Sequence, residues 1–271
     1  MLDKKAELRG PVADRVVAKK VARSAAVYPL TGNRSATLGS AGRGNAHRLL
    51  RQWRNPSRRL TMISALEALA RLRAGNHRFV TDVRNGGALI GVTHRRGLIT
   101  AQEPFAIILG CSDSRVPAEF VFDQGLGDLF VIRVAGNIVA PSQVGSVEFG
   151  AERTGARLVV VLGHSNCGAV MATLEQLQRP PVEQSRNLHS IVDRIRPSVQ
   201  ALLDVDMAQQ PHTLLQQAVR ANIRVSANHL RHGSQVLEQL IQHDGLLVVG
   251  AEYSLETGIV EFFDGIPENA T

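Results

Sequence analysis

From Pro104 onward, short unbroken apolar runs alternate with longer stretches in which apolar residues recur every three or four positions. The runs are 104–110 (PFAIILG), 129–134, 157–163 (RLVVVLG) and 246–252, with a further one at 259–263 after a Glu256-Thr-Gly258 turn. Runs of this length, rich in Val, Ile and Leu, predict strands covered on both faces, as in the interior of a parallel sheet. The periodic stretches predict helices near 117–123, 142–154, 168–178, 187–203, 212–231 and 233–243. Crossover helices can join the earlier strands in parallel, whereas the last two strands are close enough for an antiparallel hairpin. Upstream, Ser64-Ala-Leu-Glu67 is a capping-box pattern, and Leu66, Leu69, Ala70 and Leu72 give the following helix an apolar side through about Phe79. Gly86-Gly87 then predicts a loop. The expected fold is an α/β/α sandwich: a mostly parallel central sheet, helices on both faces, and an antiparallel edge strand.

Charge divides the chain in two. Residues 1–60 hold 14 of the 31 Lys and Arg but 3 of the 24 Asp and Glu, an excess of eleven positive charges. Residues 61–271 carry an excess of four negative charges and contain no lysine. The formal +7 therefore belongs to the first segment, and a nucleic-acid partner, which calls for a basic face on the folded part, is not expected. The first segment has Gly, Ser and Asn clusters and no sustained apolar period, so it reads as a disordered leader or as an extension upstream of Met62. Its Arg-rich, acid-poor composition also suits an organelle transit peptide. Residues 61–271 read as a single domain. No run approaches the 18 apolar residues of a membrane helix, so no membrane partner is expected. Two cysteines are too few for a disulfide scaffold, and a reducing, cytoplasmic location is the simpler expectation.

Those two cysteines lie where the chemistry of such a sheet gathers, in the crevice beyond the carboxyl ends of the strands. Cys111-Ser-Asp-Ser-Arg115 follows the first run, and His164-Ser-Asn-Cys167 follows the third. Two thiolates and an imidazole form a zinc ligand set with one coordination position left for water. The alternative is that both cysteines are small buried hydrophobes, the usual fate of a free thiol. Their place beside polar residues at strand ends, and a histidine three residues from Cys167, favour the metal. A redox pair is disfavoured by the absence of Cys-x-x-Cys. The lone Gly125-Leu-Gly127 is too weak to predict nucleotide binding. His189, His212, His229, His232 and His243 fall in predicted helices and read as surface or core residues.

Cys111-Ser-Asp-Ser-Arg115 followed by His164-Ser-Asn-Cys167-Gly168 closely resembles the β-class carbonic anhydrases. The likeness extends to Phe122-Asp-Gln-Gly-Leu-Gly-Asp-Leu-Phe-Val-Ile-Arg-Val-Ala-Gly-Asn137 and to Gly75-Asn-His-Arg-Phe79, covering about residues 62–264. It implies one zinc ion per subunit, held by Cys111, His164 and Cys167, and reversible hydration of carbon dioxide to bicarbonate and a proton by zinc-bound hydroxide. Zinc lowers the pKa of bound water from 15.7 toward about 7. Two thiolates cancel the ion's formal charge, so activity is expected to rise toward alkaline pH. Asp113 and Arg115 are implied as the catalytic pair. The guanidinium can grip both carboxylate oxygens and keep Asp113 off the metal; in a closed form Asp113 would be a fourth ligand.

The same resemblance implies substrate-binding roles for Gln102, nine residues before Cys111 as in the plant-like subgroup, and for Phe130, Ala135 and Phe149, with Val134 beside them. Phe149 stands where many relatives carry tyrosine. The other subgroup's bicarbonate-regulated site uses Trp, Arg and Tyr; the lone Trp53 lies in the unmatched leader. Gly168 would let the next helix approach the metal with its N-terminus. The family assembles as even oligomers with pocket residues contributed across the interface, so a homodimer or homotetramer is expected. Two rival functions remain at this point: hydrolysis of carbonyl sulfide or carbon disulfide on the same scaffold, and a non-catalytic zinc-binding or regulatory role.

Overall fold

The structure is a computed structural model that describes residues 63–82, 98, 102–178, 185–204 and 211–268. The basic leader at 1–60, the Met62 start and the Gly86-Gly87 loop lie outside the described residues. Strands β1 (Ala106–Gly110), β2 (Leu129–Arg133), β3 (Leu158–His164), β4 (Leu247–Tyr253) and β5 (Val260–Asp264) form one sheet in the order β2-β1-β3-β4-β5. The first four run parallel, and β5 closes one edge antiparallel to β4. Helices are α1 (Ala65–Val80), α2 (Ala118–Val121), α3 (Pro141–Phe149), α4 (Gly168–Gln178), α5 (Arg186–Asp204), α6 (Pro211–His232) and α7 (Gln235–His243).

Alternation along the strands divides the core between the two faces of the sheet. Ile107, Leu109, Val159, Val161 and Val248 pack with residues of α3 to α7, among them Val147, Val170, Ile195 and Ile223. Ile108, Val160, Leu162, Val249 and Ala251 pack on the other face with Leu69 and Leu72 of α1 and Val121 of α2. Both faces are covered, and this is why β1 and β3 read as unbroken apolar runs. Each such side chain, fully buried, contributes roughly 1.5–3 kcal/mol.

The capping box forms as expected: the Glu67 amide donates to Ser64 Oγ at 3.2 Å, and the Ser64 amide donates to Glu67 Oε2 at 2.7 Å. Gly75-Asn-His-Arg-Phe79 proves to be a fastening. A Cβ on Gly75 would overlap the Phe122 carbonyl oxygen. Buried Asn76 donates to the carbonyls of Val121 and Gly258 and accepts from the Val260 amide, while Arg78 pairs with Asp123 at 2.6 Å.

Two local features depart from the sequence expectation, and a third lies where none was made. The helix expected at 117–123 is a single turn, 118–121. The stretch expected as one helix over 142–154 is α3 followed by a wider turn, Gly150–Thr154. There the chain lies against β1 and β2: a Cβ on Gly150 would stand 3.0 Å from Ile107 Cδ1 and 3.1 Å from Phe130 Cδ1. A tight turn at Ala135–Asn137, with Gly136 at φ +70° and Asn137 at φ +43°, follows β2.

Candidate metal centre

Parallel pairing brings the two motifs to one edge of the sheet. Gly110 of β1 is level with Leu162 of β3, so Cys111, the next residue, comes up beside Gly163 and His164. Cys167 stands immediately before α4. Cys111 Sγ, Cys167 Sγ and a ring nitrogen of His164 lie within 4.8 Å of one another, and all three residues are buried. His164 Nδ1 donates to the Ser165 carbonyl at 2.9 Å, which leaves Nε2 as the acceptor nitrogen. That Nε2 is buried without a hydrogen-bond partner. An orphaned acceptor in a dry site is costly, and a cation between it and the two sulfurs would satisfy it.

Electrostatics at the sulfurs point the same way. A hydrogen bond from Cys167, with another from the Gly136 amide, holds the Cys111 thiol well below the ordinary thiol range. The same contact with Cys111, together with burial, pushes the Cys167 thiol up. Metal ligands must be deprotonated, and a divalent cation would stabilise both sulfurs as thiolates. Zinc–sulfur and zinc–nitrogen distances of about 2.3 and 2.0–2.1 Å are compatible with donors this close. The residues fit zinc.

Asp113 lies beside this cluster, its Oδ2 3.8 Å from His164 Nε2. Arg115 grips it twice, Nε donating to Oδ1 at 2.9 Å and an Nη to Oδ2 at 2.7 Å, with the Arg115 amide also on Oδ1 at 3.0 Å. These bonds hold the Asp113 carboxyl well below the usual carboxylate range, against a smaller opposing effect of burial. Both carboxylate oxygens are engaged by the fork, the arrangement that keeps Asp113 off a metal.

The structure adds Arg133, which sequence reasoning passed over. As the last residue of β2 it is level with Gly110. Its guanidinium donates to the carbonyls of Cys111 at 3.1 Å and Asp113 at 2.5 Å, clamping the loop that presents both. Its position at a strand's carboxyl end, beside the first motif's strand, was the available signal. Ala135 is half-buried at the same edge, next to the Gly136 amide that donates to Cys111 Sγ at 3.4 Å. A Cβ on Gly168 would meet no protein atom within 4 Å, so packing within the chain does not itself demand that glycine.

Three of the expected pocket residues lie elsewhere in the chain. Phe130 is level with Ile107, four residues and about 13 Å of strand before Cys111. Its ring meets Phe149 at a centroid distance of 6.1 Å, and Phe149 is 51% exposed. Gln102 is exposed ahead of β1. All three mark the amino ends of the strands, opposite the metal cluster.

A mostly parallel α/β sheet with two cysteines and a histidine converging at its carboxyl edge defines a class of zinc enzyme. Comparison with known proteins narrows it. Residues 106–260 match a family model described as carbonic anhydrase. Carbonic anhydrase 2 of Mycobacterium tuberculosis is 37% identical over 192 residues, spanning 69% of this chain and 87% of its own. The carbonic anhydrase of Mycolicibacterium smegmatis is 38% identical over 195 residues, spanning 70% and 89%. Among solved structures, the β-carbonic anhydrase CafA of Aspergillus fumigatus has the same fold, with a TM-score of 0.57, 25% identity, and coverage of 65% of this chain and 83% of CafA. The chain belongs to the β-class carbonic anhydrases, zinc enzymes that interconvert carbon dioxide and bicarbonate.

Proposed function

We propose that the reversible hydration of carbon dioxide takes place here at a zinc ion held by Cys111 Sγ, His164 Nε2 and Cys167 Sγ, with Asp113 and Arg115 serving it directly. The observation that carries this reading is the buried convergence of three donor atoms beside a carboxylate already bound in an arginine fork. When bound, zinc supplies a Lewis acid at which water ionises near neutral pH. The chain's own groups do the rest. Asp113, kept ionised by Arg115, accepts a hydrogen bond from the attacking water and orients its lone pair toward the carbon. Arg115 positions Asp113 and keeps it from becoming a fourth ligand. Arg133 holds the Cys111–Asp113 loop, so that ligand and acceptor move together. Val134 and Ala135 offer an uncharged substrate an apolar wall.

Gln102, Phe130 and Phe149 belong, in this reading, to the site of a second copy of the chain, which places the reaction at the interface of a homodimer or of a homotetramer built from it. The position of β2 at the edge of the sheet, among the described residues, and the exposed Phe149 ring support that arrangement. The position of Gln102, nine residues before Cys111, supports membership of the plant-like subgroup. Two reduced cysteines serving as ligands suit a reducing compartment, and cytoplasmic residence is proposed with it. No helix of the described residues is long and apolar enough to cross a membrane. The deciding experiment is stopped-flow carbon dioxide hydration on a zinc-quantified sample, with and without chelator. Turnover should follow bound zinc; turnover that survives its removal would refute the reading.

A further inference from the structure

Helix α6 buries an apolar face that includes Ala218, Val219 and Ile223, yet Asn222, among them, is only 1% exposed. Burying a carboxamide is unfavourable unless its polar atoms are bonded. Asn222 Nδ2 donates to the Gly136 carbonyl at 2.8 Å, joining α6 to a turn 86 residues away. In that turn Gly136 and Asn137 both adopt positive φ, a conformation that residues other than glycine seldom hold without outside restraint. The turn is wedged: a Cβ on Gly136 would stand 2.8 Å from Ile195 Cδ1 of α5 and 3.1 Å from the Ala169 Cβ of α4. Its other side meets the metal cluster, where the Gly136 amide donates to Cys111 Sγ. Buried Asn137 is held in the same turn with its Nδ2 unpartnered.

We infer that Asn222 is a positioning residue of the metal centre. By holding the Gly136 carbonyl it fixes the turn, and the turn keeps the Gly136 amide aimed at the Cys111 sulfur. The inference rests on Cys111 being a ligand. An N–H donated to a ligand thiolate withdraws electron density from the sulfur and fixes its direction, and losing such a partner typically costs 10–100-fold in metal affinity.

The test uses the full chain loaded with cobalt(II), whose thiolate-to-metal charge-transfer absorption reports on the sulfurs. Asn222→Ala removes the side-chain amide, and Asn222→Asp removes the amide donor at nearly constant size. Both should shift the band to lower energy and hasten metal release to a chelator by roughly 10–100-fold. Ser226→Ala, another buried polar position on α6, should alter thermal stability alone. If both Asn222 variants match the wild type in band and release rate, the inference is overturned. A wild type without any thiolate band would instead remove the ligand assignment beneath it. Should neither variant fold, hydrogen exchange in the zinc-loaded wild type decides: a protected Gly136 amide supports the inference, and one exchanging like an exposed loop overturns it.

Discussion

At the carboxyl ends of β1 and β3, Cys111, Asp113, Arg115, His164 and Cys167 come together within one chain, buried or forked in place. At the amino ends lie Gln102, Phe130 and Phe149, where the described residues include no cluster of metal-ligating groups, and one aromatic ring of the pair is half out in the open. One end holds a complete set of donors; the other holds an aromatic pair, Phe130 packed against the core and Phe149 half exposed, and the exposed amide Gln102. The difference shows that one chain brings together all the donors of the metal centre, while the substrate walls are, under the proposed function, the part a second copy would supply. Substitutions at the two ends should therefore fail in different ways.

The largest effect is expected from the ligands. His164→Ala or Cys167→Ser should lose zinc, seen by metal analysis, and turnover should fall to background. Asp113→Ala should keep its zinc and lose about 10²- to 10⁴-fold in turnover, the usual worth of a positioned proton acceptor. Arg115→Ala should also keep zinc and lose most of its turnover, since it acts through Asp113; full activity in either variant would remove the pair from the mechanism. At the other end, Phe149→Ala should leave zinc content and folding intact. It should weaken self-association by roughly tenfold, as truncation of an interface aromatic does, with sedimentation as the readout. A monomer in the wild type would break the comparison at that end.

The smallest effect concerns pH. The folded Asp113 pKa lies below its unfolded value of about 3.9. The stability it contributes is therefore present above that value and disappears as pH falls through the folded pKa. Asp113→Asn should differ from the wild type by a constant amount from pH 5 to 8, the gap closing only in acid. The turnover of the wild type should rise toward alkaline pH without a limb due to Asp113; a profile flat down to pH 6 would contradict the two-thiolate site.

Much of this was legible from residues alone. The strands could be read because both sheet faces are covered, and Ser64-x-x-Glu67 announced α1. The metal set could be read because Cys111, His164 and Cys167 sit at strand ends, where register alone decides convergence. Arg133 could not be read as a clamp, since its target is two backbone carbonyls, which leave no mark in sequence. The same holds for Asn222 and for the Gly136–Asn137 turn. The split of 142–154 into α3 and a wider turn depends on how closely Gly150 approaches Ile107 and Phe130, a tertiary contact that local periodicity does not register. Gln102, Phe130 and Phe149 resembled pocket residues, but their distance from Cys111 along the strands emerges only with the sheet order and register.

X-ray absorption at the zinc edge of the zinc-loaded chain tests the central assignment most directly. Two sulfur scatterers at about 2.3 Å and nitrogen or oxygen neighbours at about 2.0–2.2 Å are expected, one of them from imidazole. A shell with one sulfur or none would contradict it.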